Sequence, residues 1–148
     1  MIYIQKYTFH QISIREAGEF TSKYHHSHRP VKFCRFAIGL YKYKKLIGIA
    51  TAGRPVSYNT DQQEVLEISR IATDGTKNSS SLLLSRITRI ARLFGYKYLS
   101  AYVLAHQEAY GLRAAGFHFS GYTRRNYRKN KSPEVNFPGK KKRYLKKL

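Results

Sequence analysis

Three of the chain's six histidines fall within four residues, in Tyr24-His25-His26-Ser27-His28. Imidazole is the side chain most readily used as a base near neutral pH, and His25-x-x-His28 spacing can present two ring nitrogens to a metal. No cysteine or carboxylate pair nearby completes a metal set: Glu19 is upstream on a predicted helix, and Asp61 and Glu64 are remote. Clustered histidines also serve as plain surface or hydrogen-bonding groups, so base, ligand and surface readings all stay open. A second reactive candidate is Glu67, set in the run Glu64 to Thr73, EVLEISRIAT. Charged Glu67 and Arg70 in so apolar a stretch need a purpose or a partner. Glu67 suits a general base, through water if needed, and equally a structural ion pair to Arg70 or Arg35. The third candidate is Asp74-Gly75-Thr76-Lys77-Asn78-Ser79-Ser80-Ser81. A glycine-containing loop of small residues that enters a helix gathers free N–H groups at the positive end of the helix dipole, which suits a phosphate. The same residues also make an ordinary turn, and neither Gly-Lys-Ser/Thr nor Gly-x-Gly-x-x-Gly is present. Cys34, the single cysteine, lies on the more apolar face of its run and reads as a core residue rather than a nucleophile.

These residues need a frame. Val65 to Ala72 is β-branched and apolar and stops at Asp74-Gly75, which predicts a strand with Glu67, Ser69 and Ile71 on one face and Leu66, Ile68 and Arg70 on the other. Asn78 to Ser81 supply helix caps. Leu83, Ile87, Ile90, Ala91 and Phe94 then recur at helical spacing, with Ser85, Thr88, Arg89 and Arg92 opposite, until Gly95. Tyr96 to Val103 reads as a strand, Gln107 to Ala115 as a short helix and Phe119 to Tyr122 as a further strand. Upstream, Ile2 to Phe9 predicts a strand. Ser13-Ile14-Arg15-Glu16 opens a helix to about Lys23, its inner face Ile14, Ala17, Phe20 and Tyr24. Phe33 to Tyr41 and Leu46 to Gly53 form a hairpin that Arg54-Pro55 ends.

At 148 residues the chain has the length of one domain, 1–148. Lys and Arg number 28 against 8 acidic residues, a formal +20. Eleven of those basic residues and one acid fall in 123–148, leaving 17 basic and 7 acidic residues elsewhere, so each part carries +10. A field of that size attracts polyanions. Aromatics interleave with the charge in the C-terminal segment, where Arg124, Arg125, Arg128 and Lys129 suit phosphates and Tyr127 suits an unpaired base. These features predict contact with nucleic acid. Leu145 to Leu148 read as a frayed end. One cysteine, no apolar run of membrane-spanning length and no signal-like N-terminus predict a cytoplasmic protein.

The order strand, polar loop, helix, strand, helix and Gly116-Phe117 resembles the core of the GNAT N-acyltransferase superfamily. Within it the chain looks most like a small bacterial and phage subgroup that includes phage Mom-type DNA-modification proteins. Tyr24-His25-His26-Ser27, Gly53-Arg54-Pro55, Ser69-Arg70 and Leu112 to Phe117 carry that likeness, which runs from about Tyr24 to Tyr144. It implies an α/β fold with a mixed, mostly antiparallel sheet flanked by helices, an acetyl-CoA or other acyl-CoA donor, and transfer to a nitrogen. A nucleic-acid base, DNA preferred, is the implied acceptor. His25 and His26 become active-site residues beside Glu67. The resemblance places the donor at Ile71, Ala72, Thr73, Asp74, Gly75, Thr76, Asn78, Ser79, Ser80 and Ser81. Two positions depart from the superfamily pattern. Asp74-Gly75-Thr76-Lys77-Asn78-Ser79 stands where Gln/Arg-x-x-Gly-x-Gly/Ala is usual, and Leu112 stands where a proton-donating tyrosine is usual. Tyr110 and Tyr102 are the candidates to replace it. The rival readings are an acetyltransferase of a protein or small amine, a Mom-like modifier that has abandoned acyl-CoA and uses a metal at the histidines, and a non-catalytic nucleic-acid-binding module.

Overall fold

Among the described residues a single sheet of seven strands runs through the molecule, in the order β1-β2-β3-β4-β5-β7-β6. The computed structural model describes residues 5–25, 29–55, 60–61, 63–104, 107–123 and 141–148. The elements are β1 (Tyr7–Ile12), α1 (Ile14–Tyr24), β2 (Phe36–Lys42), β3 (Lys45–Gly53), β4 (Val65–Thr73), α2 (Ser79–Leu93), β5 (Tyr98–Leu104), α3 (Tyr110–Ala114), β6 (His118–Tyr122) and β7 (Lys141–Lys147). All described pairings are antiparallel except β4 with β5. A parallel pair needs a crossover, and α2 supplies it. The predicted mixed, mostly antiparallel α/β sheet is what the structure contains.

Two apolar clusters fix the helices on opposite faces. On one, Ala17 and Phe20 of α1 meet Ile12, Ala37, Ile49 and Ala72. On the other, Leu83, Leu84, Ile87 and Ala91 of α2 cover Leu66, Ile68, Leu99 and Tyr144, with Phe117 closing the layer. Ser13 caps α1, its hydroxyl accepting from the Glu16 N–H at 3.1 Å and donating to the Glu16 carboxylate at 3.2 Å. At the other end of α2 the chain turns through Gly95 at φ +82°, a left-handed conformation that glycine adopts without Cβ strain.

Several predicted details change. The first strand is Tyr7–Ile12, later than expected, because its register is set by pairing with β2 from Tyr7↔Lys42 to Ile12↔Ala37; residues 1–4 lie outside the described set. Ile14 and Tyr24 are exposed, since α1 presses on the sheet through Ala17, Phe20 and Thr21. Phe94 is 66% exposed as the C-cap of α2, while Thr88 is buried with its hydroxyl donating to Leu84 O at 2.8 Å. The chain end is not frayed. β7 inserts between β5 and β6, pairing Tyr98↔Lys147 at its last residue, and Tyr144 is 1% exposed. Cys34 is half-buried against the α1 cluster and burial pushes its thiol up, in keeping with a packing role. No helix among the described residues is long and apolar enough to cross a membrane.

Candidate active site

β4 and β5 part company midway. They pair from Val65↔Tyr98 to Ile68↔Ala101 and no further. Beyond that point β4 stays bonded to β3 as far as Gly48↔Thr73, and β5 stays bonded to β7 as far as Leu104↔Lys141. The facing edges of Ser69–Thr73 and Tyr102–Leu104 are therefore not bonded to each other, and their backbone groups line a cleft between parallel strands. Clefts of this kind, at the carboxyl ends of parallel strands, are where α/β sheets receive ligands.

The divergence coincides with a β-bulge. Thr51 pairs with Arg70 and Ala52 with Ile68, which leaves Ser69 as an extra residue on β4. The Ser69 and Thr51 hydroxyls lie 2.8 Å apart, and Ser69 Oγ also approaches Thr51 O at 3.2 Å. The extra residue shifts the alternation of faces. Leu66, Ile68 and Ile71 all pack in the α2 layer, while Ala72 packs in the α1 layer. Strict alternation, which separates Glu67 from Arg70 and groups Glu67 with Ile71, is thus overturned: Glu67 and Arg70 share the α1 face. There the Arg70 Nη1 lies 3.4 and 3.5 Å from the two ring nitrogens of His25, the C-cap of α1, and Nη2 donates to the Arg29 carbonyl at 3.0 Å. Burial lowers the pKa of Arg70, whose Nε has no hydrogen-bond partner among the described residues.

Glu67 itself is 6% exposed. Opposite it on β3 is Gly53, where a Cβ would come within 3.1 Å of the Arg35 nitrogen, so glycine lets the chain before β2 pass close. On β5 its register partner is Ser100, buried with its hydroxyl unpartnered among the described residues. Two residues on, Tyr102 is the first residue of the cleft on β5. Burial pushes the Tyr102 hydroxyl pKa up, the Glu67 charge adds to that, and Arg143 on β7 partly offsets it. Arg143 also donates to Ser120 Oγ at 2.9 Å, extending the polar row to β6. Neither Arg143 nor Ser120 was legible as a site residue, because only the placement of β7 between β5 and β6 brings them to Tyr102. Tyr110, at the start of α3, is 72% exposed.

Loop 74–78 joins the cleft to α2. Gly75 sits at φ +93° and Asn78 at φ +65°, the latter capping α2 without a side-chain bond. Asp74 Oδ1 accepts from the Thr76 N–H at 2.9 Å and from its hydroxyl at 2.5 Å. Burial raises the Asp74 carboxyl, but the Thr76 hydrogen bonds and nearby Lys45 outweigh it and hold it below its usual range. Ser79 donates its hydroxyl to Thr76 O at 2.6 Å, and the first helical bond is Leu82 N–H to Asn78 O at 3.0 Å. The N–H groups of Ser80 and Ser81 precede that bond, as first-turn donors do. The predicted donor residues, Ile71 to Thr76 and Asn78 to Ser81, thus run from β4 through the loop into the first turn of α2, and Glu67, Arg70 and His25 lie on the α1 face. His26, His28, Arg124, Arg125, Tyr127, Arg128 and Lys129 lie outside the described residues. No group of three or more metal-ligating side chains occurs among the described residues.

A family model described as the Mom protein family matches residues 6–142. Among solved structures, the ribosomal-protein-S18-alanine N-acetyltransferase from Escherichia coli superposes with a TM-score of 0.71 at 15% identity, covering 96% of this chain and 94% of its own. An IAA acetyltransferase from Bacillus cereus reaches 0.68 at 12% identity, over 96% and 99%. A GNAT family acetyltransferase from Elizabethkingia anophelis with acetyl-CoA bound reaches 0.64 at 14%, over 97% and 99%. No curated protein matches significantly.

Proposed function

The chain belongs to the Mom protein family and has the fold of GNAT acetyltransferases, and from that premise we propose that it is an N-acyltransferase that moves an acyl group from acyl-CoA to a nitrogen of a nucleic-acid base. The observation that carries the reading is the β4/β5 cleft, with the bulge placing Glu67, Arg70 and His25 on one side of it.

The residues present fit such a donor. The unpaired edges of Ser69–Thr73 and Tyr102–Leu104 offer backbone groups to an amide-bearing arm, and the first-turn N–H groups of Ser80 and Ser81 suit a diphosphate. Asp74 is the discordant charge of the loop, and its Oδ1 is already engaged by the Thr76 N–H and hydroxyl. When bound, the donor supplies a thioester carbonyl and a thiol leaving group. Glu67, buried and ionisable, takes the proton of the acceptor amine, through water if needed. Tyr102, held protonated by burial and by Glu67, gives its proton to the departing sulfur. Base and acid are thus neighbours, and the Glu67 charge helps to keep the Tyr102 hydroxyl protonated. Backbone N–H groups of β4 beyond the bulge polarise the carbonyl. His25, set against Arg70, flanks the acceptor side.

A base as acceptor is supported by the +20 charge spread over both parts of the chain and by what the resemblance to Mom-type DNA-modification proteins implies. The test is mass spectrometry of nucleosides from cells that express wild type or Glu67→Gln. A new acylated base with the wild type alone is expected. If no base changes while acetyl-CoA raises the melting temperature, the acceptor is a protein or small amine. If acetyl-CoA at millimolar levels leaves the folded protein's melting temperature unchanged, the donor assignment falls.

A further inference from the structure

The polar side of α2 does not face open solvent along its whole length. Ser81, Ser85, Thr88, Arg89 and Arg92 recur at the spacing of one helical stripe. With Ala114 and Ala115 of α3 and Lys146 of β7 they line a groove of about 340 Å³. The two alanines keep one wall low. Leu84 O already engages the Thr88 hydroxyl proton, so the Thr88 oxygen is left to accept from Lys146 Nζ, at 3.4 Å. Lys146 also lies 5.8 Å from the centre of the Phe117 ring.

Three cations therefore share the groove with the Ser85 hydroxyl, and none of the described acidic residues lines it. The ion pairs of Arg15 with Glu19 and of Lys97 with Glu64 are elsewhere. Burial lowers the pKa of Lys146, and the Arg92 charge beside it lowers it further. Such a cluster is at odds with itself in the free protein, and an anion relieves it. Guanidinium and ammonium donors with hydroxyls match the several acceptor oxygens of a tetrahedral phosphate. The groove meets the donor-binding first turn of α2 only at Ser81, and its cations lie at the far end: Arg92 is eleven residues past Ser81, about 16 Å along the helix axis.

We propose that this groove is a phosphate-binding site, built by Arg89, Arg92 and Lys146 with Ser85, that takes a phosphodiester of a nucleic-acid strand or a small phosphorylated ligand. It does not depend on the acyltransferase reading, and its readout needs no transfer.

Inorganic phosphate, compared with chloride at matched ionic strength, is titrated against the melting temperature of the full chain. Wild type should rise in a saturable way. Arg89→Ala/Arg92→Ala, two exposed positions where alanine favours the helix, should weaken phosphate at least about tenfold, as losing charge-assisted hydrogen bonds implies. Arg15→Ala/Lys23→Ala removes equal charge from α1 and should leave the affinity unchanged. Lys146→Met should weaken phosphate as the arginine pair does. A short single-stranded oligonucleotide then separates the sources. If phosphate competes with it in wild type but not in Arg89→Ala/Arg92→Ala, the ligand is a strand; if the two bind independently, it is a small phosphate. No rise specific to phosphate, or an equal loss in the α1 control, would overturn the site.

Discussion

The last strand of the chain should be one of its main supports, and Tyr144→Ala measures that directly. Tyr144 is 1% exposed and sits in the α2 layer with Leu99, Leu83 and Phe117, its ring 6.1 Å from that of Phe119. Truncating a large buried aromatic costs about 3–5 kcal/mol, from lost burial and the cavity left behind. Because the total for a domain is about 5–15 kcal/mol, that is a large share. With an m-value of about 2 kcal/mol per molar urea, the unfolding midpoint should fall by about 2 M. Far-UV dichroism and tyrosine fluorescence can follow it, since the chain has 13 tyrosines and no tryptophan. Tyr144→Phe should stay within about 1 kcal/mol, because among the described residues the hydroxyl has no partner in hydrogen-bonding geometry, Arg113 being only a near neighbour. Tyr122→Ala, at an exposed position, should change stability by no more than about 0.5 kcal/mol. A Tyr144→Ala shift as small as that of Tyr122→Ala would mean that β7 is only loosely attached, and the positions of Arg143 and Lys146 would then lose their basis.

Three further outcomes test the site. Tyr102→Phe should lower the rate of thiol release from acetyl-CoA with a single-stranded oligonucleotide acceptor by about 10² to 10⁴, the range for a general acid, whereas Tyr110→Phe should stay near wild type; the reverse order would move the proton donor to α3. Asp74 is held below its ordinary carboxylate value of 3.8, so its contribution to stability is present above that pH and lost as pH falls through the folded value. The melting-temperature gap between wild type and Asp74→Asn should therefore be open at neutral pH and close in acid, and a gap that does not narrow refutes the loop assignment. Arg124→Ala/Arg125→Ala/Arg128→Ala should reduce the log–log salt slope of single-strand binding by roughly two to three if all three contact phosphates, and an unchanged slope removes that segment from the interface.

Much of the frame was legible because it rests on local rules. Ser13 and Glu16 announce the start of α1, Asn78 and Gly95 bracket α2, and the Asp74-Gly75 turn ends β4 just after Thr73. What local rules miss is set by pairing. The strand Tyr7–Ile12 gains its register from β2, although Ile2 to Phe9 alternates better. Leu145 to Leu148 read as a frayed end, yet alternate side chains of Lys141–Lys147 place Tyr144 in the core while Lys146 reaches over the edge toward Thr88. Tyr102 becomes a stronger candidate than Tyr110 only once β5 is known to leave β4 at Ala101.

The bulge at Ser69 shows most clearly how fold and site depend on each other. A regular β4 would carry Glu67 on the α1 face and turn Arg70 into the α2 layer, where Leu83, Leu84 and Ile87 offer a guanidinium nothing. One inserted residue avoids that cost and sends Arg70 to His25 and the Arg29 carbonyl. The same insertion strengthens the local twist, as bulges do, and β4 diverges from β5 at that level, after Ile68↔Ala101. The charged residues that looked out of place in an apolar strand and the opening that admits a ligand thus arise together. The Thr51–Ser69 hydroxyl pair, 2.8 Å apart, holds both in place.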